Sequence, residues 1–304
     1  MNTRIVQLSD IHIGSPYSFR YRPACLTNFK QAMKQVEAFD VQPKLIVLSG
    51  DLTRDGETHR FELTALKELL ATYPYEFHLI PGNHDVGGRF ELDRFETISE
   101  EKVVRYKSVF DDKFEVVVDD VRLIGFNSFL LGTNFSAEDE QWEWLQEKAN
   151  EKGSWKKQLW FMHNLPYRES PFETKVENKE DEYGAWYAYI DLDRQHRLMK
   201  IIKDSKVDVI ACGHSHYFKD RTVDGIRHVN CPATGFCVPT SKLGFVVYDI
   251  NENEIVVNQH LLDVESPEVE FGVGGHIPFD KRDYSLGEKM TPAIAEEVNA
   301  LLHQ

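Results

Sequence analysis

Short runs of β-branched and aliphatic residues alternate along the chain with longer segments whose apolar positions recur every three or four residues. Ile5 to Leu8, Leu45 to Leu48, Phe77 to Ile80, Leu159 to Met162 and Val207 to Cys212 are short and nearly all apolar, which predicts strands buried on both faces. Between them, Leu26 to Phe39 and Phe61 to Leu70 carry apolar residues at helical spacing. Strands joined through crossover helices follow, which is the α/β class.

Phe114 to Val118 and Val121 to Phe126 flank Asp119-Asp120, and Asp224-Gly225 interrupts the segment from Val223 to Ile226. Both read as hairpin turns and predict a second, mixed sheet. Ser136, with acidic residues behind it, predicts a helix start that continues through Trp142, Trp144 and Leu145. Further strands are expected at Leu243 to Asp249 and Glu254 to His260. Residues Asn164 to Tyr189, rich in Tyr, Trp and acidic side chains, are long for a connection and are expected either as a lid over a site or as a surface insertion with packed aromatics. The organisation expected is therefore one domain over 1–262 containing that insertion, followed by a C-terminal strap over 263–304 with a short helix at Pro292 to Leu302.

Composition narrows the function classes. Hydrophobic residues at 41% and charged residues at 28% describe a folded chain. The formal net charge of −15 repels a phosphate polymer, so no extended nucleic-acid partner is expected and a small phosphorylated substrate is easier to accommodate. Cys25, Cys212, Cys231 and Cys237 have no zinc-finger spacing and are expected to be reduced and buried. No apolar stretch approaches the length that spans a bilayer and no cleavable leader is visible, so the expectation is a cytoplasmic protein without membrane contact. Residues 164–189 or the tail leave room for a homodimer contact.

The chemistry lies in where the polar residues fall. Asp10-Ile11-His12, Gly50-Asp51, Gly82-Asn83-His84-Asp85, His163 and Gly213-His214-Ser215-His216 each close an apolar strand. The carboxyl ends of the strands of an α/β sheet form its ligand crevice, so the five pieces are expected to converge. Each piece alone is weak, because a single strand-end His is more often a hydrogen-bonded structural residue; five in this order would require five coincidences. Imidazole and carboxylate together favour Mn, Fe or Zn, and one carboxylate, expected to be Asp51, can bridge two such ions.

Taken together, SDIH, GD, GNHD, a lone His and GHSH resemble the signature of calcineurin-like metallophosphoesterases over roughly the first four-fifths of the chain. The resemblance implies a four-layer α/β/β/α sandwich with two mixed sheets and two divalent metal ions, with Mn or Fe favoured. It implies one metal on Asp10, His12, Asp51 and His216, and the other on Asp51, Asn83, His163 and His214. It also implies that a hydroxide between the metals attacks phosphorus, while His84 contacts the phosphate and protonates the departing alkoxide. Asp85 is expected either to orient that imidazole or to cap a helix start.

LSDIHIG, GDLTRDG and PGNHD are most similar to class III cyclic nucleotide phosphodiesterases and their glycerophosphodiesterase relatives, which implies a small phosphodiester substrate. Asn164 departs from that subgroup, which usually has a second His there. Nucleases sharing Asp-x-His, GNHD and GHxH, phosphomonoesterases and nucleotide pyrophosphatases are the competing enzymes, and a non-catalytic scaffold is a further alternative. Protein Ser/Thr phosphatases fit less well, since their motifs run GDxVDRG and GNHE. Arg20 and Arg22, among the aromatics of SPYSFRYRP, are expected either to contact the substrate or to face solvent.

Overall fold

The computed structural model describes residues 3–18, 20–88, 97–167, 190–236 and 241–264. In chain order the elements are β1 (Thr3–Leu8), α1 (Pro23–Glu37), β2 (Leu45–Ser49), α2 (Arg60–Leu70), β3 (Phe77–Ile80), the single turn α3 (Asn83–Val86), α4 (Glu100–Lys107), β4 (Lys113–Val118), β5 (Val121–Phe126), α5 (Ser136–Asn150), β6 (Lys157–Phe161), α6 (Leu192–Asp204), β7 (Val209–Cys212), β8 (Lys219–Val223), β9 (Ile226–Asn230), β10 (Gly244–Ile250) and β11 (Ile255–Leu261). One sheet runs β11-β10-β1-β2-β3 and the other β4-β5-β6-β7-β9-β8. Each is mixed. Strands β1, β2 and β3 are parallel neighbours flanked by antiparallel β10 and β11, whereas β5, β6, β7 and β9 are parallel with antiparallel β4 and β8 at the edges.

Why these strands form two stacked sheets is visible in their alternation. Successive side chains of a strand point to opposite faces. In β2, Leu45 and Val47 enter the layer between the sheets, while Ile46 and Leu48 enter the layer under α1 and α2. In β6, Leu159 and Phe161 face the inter-sheet layer, and Trp160 faces the layer under α5 and α6, beside Trp142, Leu145, Leu198 and Ile202. Three apolar layers separate four layers of elements, which is the α/β/β/α order the resemblance implied. Burying both faces makes central strands such as β2 and β7 apolar throughout, a pattern readable in the chain.

Two helices lie where no helix was expected. Ser99 caps α4 by accepting a hydrogen bond from the Lys102 amide at 3.3 Å. Helix α6 packs Leu198, Ile201 and Ile202 onto the second sheet. Cys25, Cys212 and Cys231 are buried and form no disulfide among the described residues. Cys237, most of the expected lid and nearly all of the expected strap lie outside the described residues. Among those described, no helix is long and apolar enough to cross a membrane.

Candidate metal centre

The turns that follow β1, β2, β3, β6 and β7 are laced together by backbone hydrogen bonds. The amides of Asp10 and His12 donate to the carbonyls of Gly50 and Asp51, at 3.0 and 2.9 Å, and the Gly213 amide donates to the His163 carbonyl at 2.9 Å. This lacing holds an unusual backbone. Asp10 (φ 52°), His12 (45°), Asp51 (48°), His214 (63°) and His216 (58°) all adopt the left-handed region, which non-glycine residues rarely enter and which costs roughly 1–3 kcal/mol each. Such conformations turn the side chains at the strand ends inward, toward one another.

The result is a compact set of donors. Asp10, His12 and His216 form one group, and Asp51, His163 and His214 another, each with ligand atoms within 4.8 Å of one another; His12, Asp51 and His84 form a third set that links them. Asp51 Oδ2 lies 3.4 Å from His163 Nε2 and 3.6 Å from His12 Nε2, and Asp10 Oδ1 lies 3.2 Å from His216 Nε2. The chain thus brings together the six carboxylates and imidazoles expected as ligands. Asn83, the seventh, sits at the start of α3, directly before His84, whose amide donates to Asp51 Oδ1 at 2.9 Å.

Unsatisfied polar atoms argue that this pocket is built for cations. Asp10 Oδ1, both ring nitrogens of His12, His163 Nε2, His216 Nδ1 and both side-chain atoms of Asn83 are buried and make no hydrogen bond. Burying such groups unpaired is costly, so their concentration at one place calls for a ligand that takes lone pairs. The electrostatics agree. Burial pulls the His12 imidazole well below its usual range, with His84 beside it adding to the effect, so His12 is neutral and free to ligate. Burial also opposes charge on His163, yet the Asp51 and Asp10 carboxylates overcome it and hold this imidazole up to about 9. A pocket that keeps positive charge against such burial favours a bound cation, which would displace that proton.

Ring orientation is set from behind. His163 Nδ1 meets the Ser49 carbonyl at 2.7 Å, and since a carbonyl only accepts, Nδ1 carries the hydrogen and Nε2 faces the centre. Ser49 is held in turn by Gln7, whose Nε2 donates to Ser49 Oγ at 2.8 Å and to the Cys212 carbonyl at 3.2 Å, while its Oε1 accepts from the Tyr248 hydroxyl at 2.6 Å. This buried bridge ties β1, β2, β7 and β10 together just behind the candidate ligands. Gly50, at φ 98°, has no room for a Cβ, which would overlap the His163 ring. Gly50→Ala is therefore expected to lower stability by about 1–3 kcal/mol and to weaken manganese binding. Gly225→Ala, at φ 80° with open space around it, is the control, since it keeps the backbone cost without the collision. Thermal melts with and without manganese should show a metal-dependent loss in the first variant only.

The remaining expected residues divide. Asp85 does not orient His84: its carboxylate accepts from the Leu52, Thr53 and Gly82 amides and the Thr53 hydroxyl, at 3.0, 2.9, 2.8 and 2.6 Å, so it caps α3 and pins the turn after β2. His84 Nδ1 instead donates to the Arg54 carbonyl at 2.8 Å, which aims Nε2 toward Asp51 Oδ2, 4.0 Å away. Neither Arg20 nor Arg22 faces solvent, since both are buried. Arg20 is paired with Asp55 and Glu57, so its charge is neutralised within the protein. Arg22 lies over the ring of Phe236 at 4.5 Å, and Arg54 over the same ring at 5.1 Å. Sequence reasoning missed Phe236 and Arg54. Arg54 had a visible signal, lying three residues beyond Asp51, but Phe236 had none.

Comparison with known proteins adds to this geometry. The chain matches the calcineurin-like phosphoesterase family over residues 3–218. It is 25% identical over 218 residues to a probable glycerophosphodiester phosphodiesterase, GpdQ, of Arcobacter nitrofigilis, covering 70% of this chain and 71% of that protein. It is 26% identical over 242 residues to the serine/threonine-protein phosphatase CPPED1 of Danio rerio, covering 77% and 74%. Its fold is similar to purple acid phosphatase PPD1 of yellow lupin, Lupinus luteus, with a TM-score of 0.59 at 14% identity, covering 88% of this chain and 53% of that one. With its strand-end carboxylates and imidazoles, its two mixed sheets and a match over most of its length, the chain belongs to the calcineurin-like phosphoesterase family.

Proposed function

We propose that the protein is a dinuclear metal-dependent phosphodiesterase acting on a small phosphodiester of the cyclic nucleotide or glycerophosphodiester type. One observation carries the reading: a single oxygen, Asp51 Oδ2, lies between His12 of one donor group and His163 of the other, 3.6 and 3.4 Å away, where a bridging ligand must stand. Asp10, His12, Asp51 and His216 would hold one ion, and Asp51, Asn83, His163 and His214 the other. Mixed imidazole and carboxylate donors suit Mn or Fe, with Zn also accepted. When bound, two such ions acidify a water and neutralise charge building on the phosphoryl oxygens.

The chain's own residues do the rest. The buried walls exclude bulk water, so charges inside are poorly screened. His84 is fixed by the Arg54 carbonyl, so only Nε2 can exchange a proton with substrate. Burial holds that imidazole well below its usual range, and although the Asp51 carboxylate opposes this, the Arg20 and Arg54 guanidiniums reinforce it. An entering anionic phosphoester would raise its proton affinity, which suits His84 to give a proton to the departing alkoxide.

The glycerophosphodiester phosphodiesterase relative and the strand-end motifs favour a diester, while the CPPED1 relative favours a monoester. Manganese-loaded protein is expected to hydrolyse bis(4-nitrophenyl) phosphate faster than 4-nitrophenyl phosphate or a phosphoserine peptide, and to lose all activity in EDTA. Faster turnover of the two monoesters would replace the diester reading with a phosphatase one. Retained activity after complete metal removal would end both.

A further inference from the structure

Two guanidiniums beside the candidate metal centre form no ion pair among the described residues. They belong to Arg22 and Arg54, which are 6% and 5% exposed. Arg54 donates Nε to the Arg20 carbonyl at 3.1 Å, while Arg22 Nε is buried and makes no hydrogen bond. The nearby carboxylates of Asp55 and Glu57 are already engaged by Arg20. Phe236 lies between this pair and the centre: both guanidiniums cover its ring, and the same ring packs against His12 at 4.7 Å and His216 at 4.8 Å. Cation–π contact offsets part of the cost of burying two like charges, but apart from Arg54 Nε it leaves their N–H donors without a hydrogen-bond partner among the described residues.

Buried guanidiniums that share one aromatic ring and form no ion pair among the described residues are a receptor for an anion, and their planar forks suit phosphate oxygens. Resting on the phosphoesterase reading above, we propose that Arg22 and Arg54 form a second anion subsite, spaced from the metal ligands by Phe236, that binds a non-scissile phosphate of the substrate. The substrate class is then a phosphoester that carries a second, terminal phosphate at a distance from the bond being cleaved. A substrate with one phosphate would fill the metal centre and leave this subsite empty.

Two esters with the same leaving group separate the cases: thymidine 5′-(4-nitrophenyl phosphate), and its analogue with an added 3′-phosphate. For the manganese-loaded full chain, the added phosphate is expected to raise kcat/KM by about tenfold or more, the scale of charge-assisted hydrogen bonds to a buried site. In Arg22→Gln and in Arg54→Gln, each checked for unchanged manganese content, the ratio of the two kcat/KM values should fall toward one, and Arg22→Lys should keep part of it. Equal kcat/KM for the two esters in the wild-type protein, or a preference that survives both glutamine variants, would overturn the subsite alone. Hydrolysis of neither ester would overturn the phosphoesterase reading with it.

Discussion

Asp51→Asn is expected to reduce bound manganese from about two ions per chain to fewer than one, and to lower kcat/KM about a thousandfold. The amide is nearly isosteric, and its oxygen can keep the hydrogen bond that Asp51 Oδ1 accepts from the His84 amide, so the turn after β2 is preserved. What changes is the other atom. An NH2 group would replace the oxygen that faces His12 and His163, and a donor there repels a cation and satisfies no lone-pair requirement. Metal analysis of the purified variant, beside its activity, tests the claim. Full manganese content would remove Asp51 from the bridging position, whatever the activity showed.

His84→Gln should keep its metals yet lose about a hundredfold or more in kcat on diesters with alkoxide leaving groups, the usual scale for a positioned acid. With 4-nitrophenolate, which departs without a proton, the loss should be much smaller. The comparison is informative because His84 also belongs to the donor set that links the two metal groups. A ligand's loss would lower metal content and slow both kinds of ester alike, and that outcome would reassign His84 from proton donor to ligand.

How much of this was legible in the chain depended on whether the signal was local. Central strands such as β2, β6 and β7 are buried on both faces, so each wrote a largely apolar run, and a polar cluster after such a run marks a strand end whatever the tertiary arrangement. Hence Asp10, His12, Asp51, Asn83, His163, His214 and His216 could be named as candidate ligands before their convergence was seen. Helix α4 left little trace, because Val103 and Tyr106 are its only buried apolar residues. Helix α6 does repeat Leu198, Ile201 and Ile202 at helical spacing, so its signal is local and present in the chain.

Pairing across the fold was the illegible part. Nothing near Arg20 announces Asp55 and Glu57, which reach it only because the turn after β2 folds back on the turn after β1. Nor does anything mark Phe236 as the neighbour of His12 and His216. Asp85 shows the same limit in miniature: adjacency to His84 suggested a partner, but on the single turn of α3 its carboxylate points the other way, to backbone amides of the Gly50-Asp51-Leu52-Thr53 turn and of Gly82.

The left-handed conformations of Asp10, His12, Asp51, His214 and His216 set reactivity and durability against each other. At each position glycine would relax the main chain, so the sequence most robust to heating is one that has given up its chemistry. A descendant of this chain released from selection for turnover would be expected to drift toward glycine and asparagine at just these five places, gaining resilience as it fell silent.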